Sequence, residues 1–366
     1  MRDIELAVIP GDGIGREVVP AGLQVLDTVA EVHGGFRFRP EVFPWSCAWY
    51  LQHGRMMPAD GLDQLASFEA IYLGAVGFPG VPDHVSLWEL LLPIRRGFQQ
   101  YVCLRPIRLL PGVRSPLAGR GPADIDFFVV RENNEGEYSN MGGRIYAGTP
   151  NDTVVQNAIF TRMGTERIIR YAFELARRKR KQRVSSATKS NGINHSMPFW
   201  DEIFREIAAQ YPDVQADQFH VDALAARFVT HPQHFGVVVG SNLFGDILTD
   251  LGAAIAGSIG IGASANLNPE RIHPSCFESI HGSAPDIVGQ GIANPLGQIW
   301  SGALMLEHLG YPQPAQWVEQ AMVATLAAGI ATRDLGGSAG TGEVTARICA
   351  EVRRIAQLPG QDQGQG

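Results

Sequence analysis

The sequence predicts an α/β fold with a largely parallel core sheet. Two observations carry this. Short β-branched or aromatic runs such as Val237–Val239 and Phe127–Val130 alternate along the chain with longer stretches of helical apolar spacing. No internal repeat interrupts the alternation. The 366 residues allow two domains or one large one, and 45% hydrophobic against 18% charged residues is the balance of a chain that buries a core. A net charge of −7 argues against a general nucleic-acid binder. Cys47, Cys103, Cys276 and Cys349 are far apart and form no C-x-x-C pair, so they read as reduced thiols. The first ten residues carry no signal-peptide core. No stretch reads as a membrane span: residues 250–263 are apolar but glycine-rich and too short. The expected location is the cytoplasm.

Ile4–Ile9 reads as the first strand, followed by a turn at 10–15 and a helix from Glu17 to Ala30. The turn is not a dinucleotide fingerprint: its glycines run G-x-G-x-G, and Arg16 stands where the third glycine of G-x-G-x-x-G belongs. Ala70–Leu73 is a short strand before a polar loop at 78–84. Leu87–Arg96 has helical spacing, broken by Pro93. Tyr101–Arg105 is a strand, and Pro106 favours extended backbone at Arg105. Phe127–Arg131 is another, ending in a charged burst through Tyr138. Arg95, Arg105 and Arg131 therefore end or follow apolar elements. Singly each suits a surface; together they could hold a di- or tricarboxylate through forked hydrogen bonds.

Residues 139–160 read as a protruding hairpin with turns at Gly142-Gly143 and Thr149-Pro150-Asn151. Thr165 is the expected cap of a helix over Glu166–Arg180, whose basic end suits a solvated C-terminus. Val184–Ala187 is a strand leading into a loop with Lys189. Trp200–Gln210 is a helix, Asp217–Val221 a strand, and Asp222 opens the helix Ala223–Val229.

The stretch 237–250 is the most informative. The valine run is a buried strand, Gly240 breaks it, and Ser241 or Asn242 can cap the next helix. That helix carries Asp246 and Asp250 four residues apart, on one face. Two such carboxylates repel unless a cation lies between them, and an all-oxygen pair suits Mg²⁺ or Mn²⁺. The bland reading is two solvated aspartates; the apolar sequel at 251–262 favours a packed helix instead. Residues 277–287 show no strand pattern. They could wrap an adenosine, with Asp286 accepting from ribose hydroxyls, or form a structural turn. Leu296–Leu309, Ala315–Gly329 and Gly342–Ile355 read as closing helices, and 357–366 as disordered.

Six stretches occur in an order that resembles one family. They are Gly11-Asp12-Gly13-Ile14-Gly15, Leu104-Arg105-Pro106, Val130–Asn133 with Glu135–Tyr138, Thr188-Lys189-Ser190-Asn191, Asn242–Asp250, and His281-Gly282-Ser283-Ala284-Pro285-Asp286. From residue 4 to about 355 the chain resembles the isocitrate/isopropylmalate dehydrogenase family. The stretches 81–88 and 266–271 narrow the resemblance to the branch acting on tartrate and D-malate with decarboxylation.

The resemblance implies an isopropylmalate dehydrogenase-like two-domain fold, not a Rossmann fold, with the cleft between the domains. Residues 1–100 and 257–366 would form the cofactor domain. Residues 101–256 would form the substrate, metal and dimerisation domain, and the hairpin an arm that clasps a second subunit. Arg95, Arg105 and Arg131 would hold substrate carboxylates. Asp222, Asp246 and Asp250 would ligate Mn²⁺ or Mg²⁺. Lys189 would take the hydroxyl proton and Tyr138 would protonate an enol. Lys189 and Asp222 would cross the interface of a homodimer. His281, Gly282, Ser283, Ala284, Pro285, Asp286, Ile287 and Asn294 would bind NAD, since a carboxylate at 286 repels a 2′-phosphate. Whether K⁺ is also needed stays open.

Trp88 stands where isopropylmalate dehydrogenases carry an acidic residue. A bulky indole implies a small 2-hydroxy dicarboxylate, tartrate or D-malate, with 3-isopropylmalate oxidation in leucine biosynthesis as the alternative. A silent regulatory subunit would lack metal or proton-transfer residues, and all are present here. Cys103 and Pro93 depart from the family pattern.

Overall fold

The computed structural model describes residues 1–358. The expectation of disorder at 357–366 lies, from 359 on, outside the described residues. The chain opens with β1 (Arg2–Ile9), α1 (Gly15–His33), β2 (Phe36–Val42), α2 (Cys47–His53), α3 (Gly61–Leu65) and β3 (Ala70–Leu73). A continuous helical stretch follows: α4 (Asp83–Ser86), a π-helical turn (Leu87–Leu91) and α5 (Leu92–Gly97). Next come β4 (Val102–Arg108), β5 (Asp126–Glu132), the hairpin strands β6 (Gly142–Ile145) and β7 (Thr153–Gln156), and α6 (Arg162–Arg178). The middle continues with β8 (Arg183–Thr188), α7 (Ser196–Ala208), β9 (Gln215–His220), α8 (Val221–Thr230), β10 (Val237–Gly240) and α9 (Asn242–Ile255). It closes with β11 (Ala263–Leu267), β12 (Ser275–Ser279), α10 (Leu296–His308), α11 (Pro312–Ala327) and α12 (Thr341–Ala356).

Ten strands form one sheet in the order β2-β1-β3-β12-β11-β4-β5-β10-β8-β9. The two wings are parallel, as the alternation with helices requires. The sheet is thus largely parallel, as expected, with an antiparallel centre where β12–β11, β11–β4 and β4–β5 pair. Neither β4–β5 nor β11–β12 is joined through a helix, so the crossover that parallel pairing needs is missing. The stretch 277–279 is a strand after all. β12 is buried on both faces, so Ser275, Glu278 and Ser279 hide the period a half-buried strand would show.

Local details shift for stated reasons. Thr161, not Thr165, caps α6: its hydroxyl accepts from the Gly164 N–H at 3.0 Å, and Thr165 is buried inside the first turn. Gly142 and Gly143 lie in β6 rather than in a turn. The hairpin's Met141, Ile145, Tyr146, Val154 and Val155 are 53–66% exposed, an apolar surface on a projecting element. Leu92 N–H bonds back to the Leu87 carbonyl, one residue beyond the α pattern. That wide turn sits just ahead of Pro93, whose ring would otherwise press on the Glu89 carbonyl. All four cysteines are buried and free. Among the described residues no helix is long and apolar enough to cross a membrane.

Candidate active site

β10 delivers the chain into α9, which packs against β4 and β5. Ser241 is the N-cap residue, but its hydroxyl does not bond its own helix. It donates to Glu137 at 2.8 Å, and the Leu243 N–H donates to the same carboxylate at 3.0 Å. A glutamate from the segment after β5 therefore closes the N-terminus of α9, where negative charge is favoured. Gly245 lets the helix lie directly on β5: a Cβ there would stand 2.5 Å from the Arg131 Cβ.

That close approach puts Asp246 against Arg131, and the two form an ion pair. The Arg131 guanidinium also donates to Asn242 at 3.0 and 2.6 Å. Arg105 reaches Asp246 at 3.7 Å and Asp250 at 4.0 Å, and donates to the Thr249 hydroxyl. The Tyr138 hydroxyl donates to Asp246 at 2.7 Å. Burial works to raise the Asp246 carboxyl, but Arg131, Arg105 and Tyr138 outweigh it and hold it below the usual value. Asp250 goes the other way: burial raises it, and Asp246 adds to the rise against Arg105. Burial, with the hydrogen bond to Asp246, pushes the Tyr138 phenol up to about 12. Two carboxylates, two guanidiniums and a phenol thus form one contacting cluster.

The remaining expected residues are placed less closely. Arg95 is buried, but it pairs with Glu278 at 2.8 Å, and Asn266 donates to the same carboxylate at 2.7 Å. Lys189 and Asp222 pair with each other at 2.9 Å and do not join the Asp246 cluster. The hydrogen bond from Lys189 keeps the Asp222 carboxyl low. Among the described residues of one chain, no three His, Cys, Asp or Glu side chains stand together as a metal site. Asp246 and Asp250 fit a hard cation as a partial oxygen set, with a third ligand still to be supplied.

The loop after β12 lies on the turn after β1. The Ile14 N–H donates to the Ser283 carbonyl at 2.9 Å, and a Cβ on Gly13 (φ +55°) would stand 2.0 Å from that oxygen. Asp12 is buried and accepts from the N–H groups of Cys47, Ala48 and Gly77, at 2.9, 3.3 and 3.2 Å. His281, Ile287 and Asn294 line a cavity of about 440 Å³ with Ile14, Arg333 and Asp334. The His281 Nε2 is buried with no hydrogen-bond partner, and burial lowers its pKa. Ser283 is buried, Ala284 takes a left-handed backbone (φ 38°), and Gly282, Pro285 and Asp286 stay exposed beside them. A nucleotide fits this donor set.

Three residues of these sites escaped the sequence reading: Glu137 as a helix cap, Ile14 as a cavity wall, and Asp334, which accepts from Asn294 at 2.9 Å. Ile14 and Glu137 carried a signal, lying inside the stretches 11–15 and 135–138, but neither stretch showed the role.

The family described as isocitrate/isopropylmalate dehydrogenase matches residues 5–352. A probable tartrate dehydrogenase/decarboxylase of Bacillus subtilis (strain 168) is 55% identical over 356 residues, 97% of this chain and 99% of that protein. The D-malate dehydrogenase [decarboxylating] of Escherichia coli (strain K12) is 54% identical over 361 residues, 97% of this chain and 100% of its own. The crystal structure of isocitrate dehydrogenase from Methylococcus capsulatus matches with a TM-score of 0.85 at 34% identity, covering 96% of this chain and 99% of that one. With a family match this long and relatives this similar end to end, the chain belongs to the isocitrate/isopropylmalate dehydrogenase family and is an oxidoreductase acting on a CH–OH group.

Proposed function

We propose that the protein oxidises a small 2-hydroxy dicarboxylate, tartrate or D-malate, with NAD and a divalent ion, and that decarboxylation follows. The observation that carries this is the cluster in which Arg105 and Arg131 face Asp246, Asp250 and Tyr138. The guanidiniums offer forked donors to substrate carboxylates. Arg95, held by Glu278, completes the cationic wall. The names of the relatives support the substrate class.

Asp246 and Asp250, with Asp222 of the partner subunit, would hold Mn²⁺ or Mg²⁺, which when bound makes the substrate hydroxyl more acidic and favours the enolate. Lys189 of the partner subunit takes the hydroxyl proton on Nζ. A nicotinamide held by the loop 281–287 and Asn294 would supply the acceptor for the hydride of the carbinol carbon. The carbon–carbon bond to the leaving carboxylate then breaks, and its electrons form the enol as CO₂ departs. Tyr138 donates its phenolic proton to that carbon. His281, Ser283, Ile287 and Asn294 hold the adenosine, with Gly282, Ala284 and Pro285 shaping the loop. Asp286 selects NAD by repelling a 2′-phosphate.

A homodimer is part of the reading. The apolar hairpin at 139–160 needs a surface to cover it, and the Lys189–Asp222 pair stands outside its own chain's cluster. The expected division into 1–100 with 257–366, and 101–256, has support in the strand order, since β1, β2, β3, β11 and β12 lie on one side of the sheet and β4, β5, β8, β9 and β10 on the other.

The test is one panel: turnover of D-malate, tartrate and 3-isopropylmalate with NAD⁺ and Mn²⁺, with and without K⁺. Preference for either of the first two is expected. Preference for 3-isopropylmalate would overturn the substrate assignment.

A further inference from the structure

We propose that Arg96 is a positioning residue that clamps the backbone of Tyr138 and braces it on Trp88. The inference rests on the reading of Tyr138 as proton donor and of Trp88 as a wall of the substrate pocket.

Arg95 and Arg96 are neighbours at the end of one helix, yet they act in different places. Arg95 turns inward to Glu278. Arg96 is half-buried, donates to the Tyr138 carbonyl, and carries its guanidinium carbon 5.2 Å from the centre of the Trp88 ring. Glu132 is the carboxylate that supports its charge against burial. Tyr138 is therefore held at both ends: the phenol by Asp246 at 2.7 Å, the carbonyl by Arg96. Such an anchor is needed, because Tyr138 lies between β5 and the hairpin, outside any strand ladder.

The backbone explains why Arg96 can reach. Positions 88 and 96 are eight residues apart. In an unbroken α-helix, eight steps of about 100° would leave them about 80° apart around the axis. The π-helical turn Leu87–Leu91 adds one residue, so the separation behaves as seven steps and closes to about 20°. Indole and guanidinium then share a face, two turns apart. The wide turn beside Pro93 thus has a consequence beyond relieving the proline: it stacks Arg96 over Trp88.

The test uses the full-length protein with Arg96→Gln, Arg96→Lys, Trp88→Leu and the Trp88/Arg96 double variant. R96Q is expected to lower kcat on the preferred substrate about tenfold, with KM within about twofold, because a misplaced proton donor costs turnover rather than binding. R96K, which still donates to the carbonyl, should recover part of that loss. The double variant should lose no more kcat than R96Q alone, since both changes release one clamp. Wild-type kcat in R96Q overturns the proposal, as does a raised KM at unchanged kcat, which would make Arg96 a substrate ligand. A double-variant loss equal to the product of the single losses overturns the brace on Trp88. Backbone hydrogen exchange over residues 134–141 reads the clamp without substrate, whatever the enzyme turns over. Faster exchange in R96Q supports it, and unchanged exchange refutes it.

Discussion

Replacing Glu137 with alanine tests how the helix that carries Asp246 and Asp250 is held. The Glu137 carboxylate satisfies two donors at the N-terminus of α9, the Leu243 N–H at 3.0 Å and the Ser241 hydroxyl at 2.8 Å. Ser241 is fully buried, so its hydroxyl has little chance of a water partner once the carboxylate is gone. Loss of an N-cap costs about 1 kcal/mol, and loss of a partly buried charge at a helix N-terminus about 1 kcal/mol more. Hydrogen bonds to a charged acceptor run at about 1.5–3 kcal/mol each, but they describe the same contacts and are not added. E137A should therefore cost about 2 kcal/mol, and E137Q, which keeps one acceptor, about 1 kcal/mol. In a chain of 366 residues that is a fall in Tm on the order of 3 °C for E137A. It should be read by calorimetry at one scan rate and one protein concentration. Asp246 and Asp250 ride on the first turns of the same helix, so kcat/KM should fall with Tm. Ser241→Ala is the control: it leaves the carboxylate bonded to Leu243 and should cost less than half as much. Equal Tm values for E137A and wild type would mean that water caps α9 as well as Glu137 does.

Two further outcomes follow from the charges. Glu132 is buried and its carboxyl is pushed up to about 7, mainly by desolvation, even though the Asn134 and Glu135 N–H groups bond it at 3.0 and 2.7 Å. Folded protein then holds a proton that unfolded chain gives up near 4.5, so stability falls as pH rises from about 4.5 through about 7. Glu132→Gln should remove that slope, by about 3 kcal/mol at most, and raise Tm over wild type at pH 8 more than at pH 4; parallel pH–Tm curves for the two proteins would refute it. Mn²⁺ added without substrate should raise Tm, because an ion between Asp246 and Asp250 binds only the folded chain. Asp246→Asn should abolish that rise, and a rise of the same size in the variant would place the ion elsewhere.

What the sequence made legible was whatever depends on neighbours in the chain. A valine run followed by Gly-Ser-Asn announces a buried strand and a helix start, and two aspartates four apart announce a charged helix face. What it hid depends on contacts between distant segments. Glu137 bonds residues 104 and 106 positions away, and no local pattern marks it as the cap of α9. The antiparallel centre of the sheet was illegible because its polar side chains answer one another inside the core. Asn266 donates to Glu278, and Asn133 donates to Asn266 at 3.0 Å, so β11 and β12 lack the apolar run that would have exposed them. The site shows both limits at once. Arg105 and Arg131 were visible as strand ends, but the reason they matter is that β4 and β5 pair antiparallel beside α9, which brings both guanidiniums to the carboxylates that would otherwise repel. The charge balance of the cluster is thus a product of the topology, and the residues that hold it have no meaning one at a time.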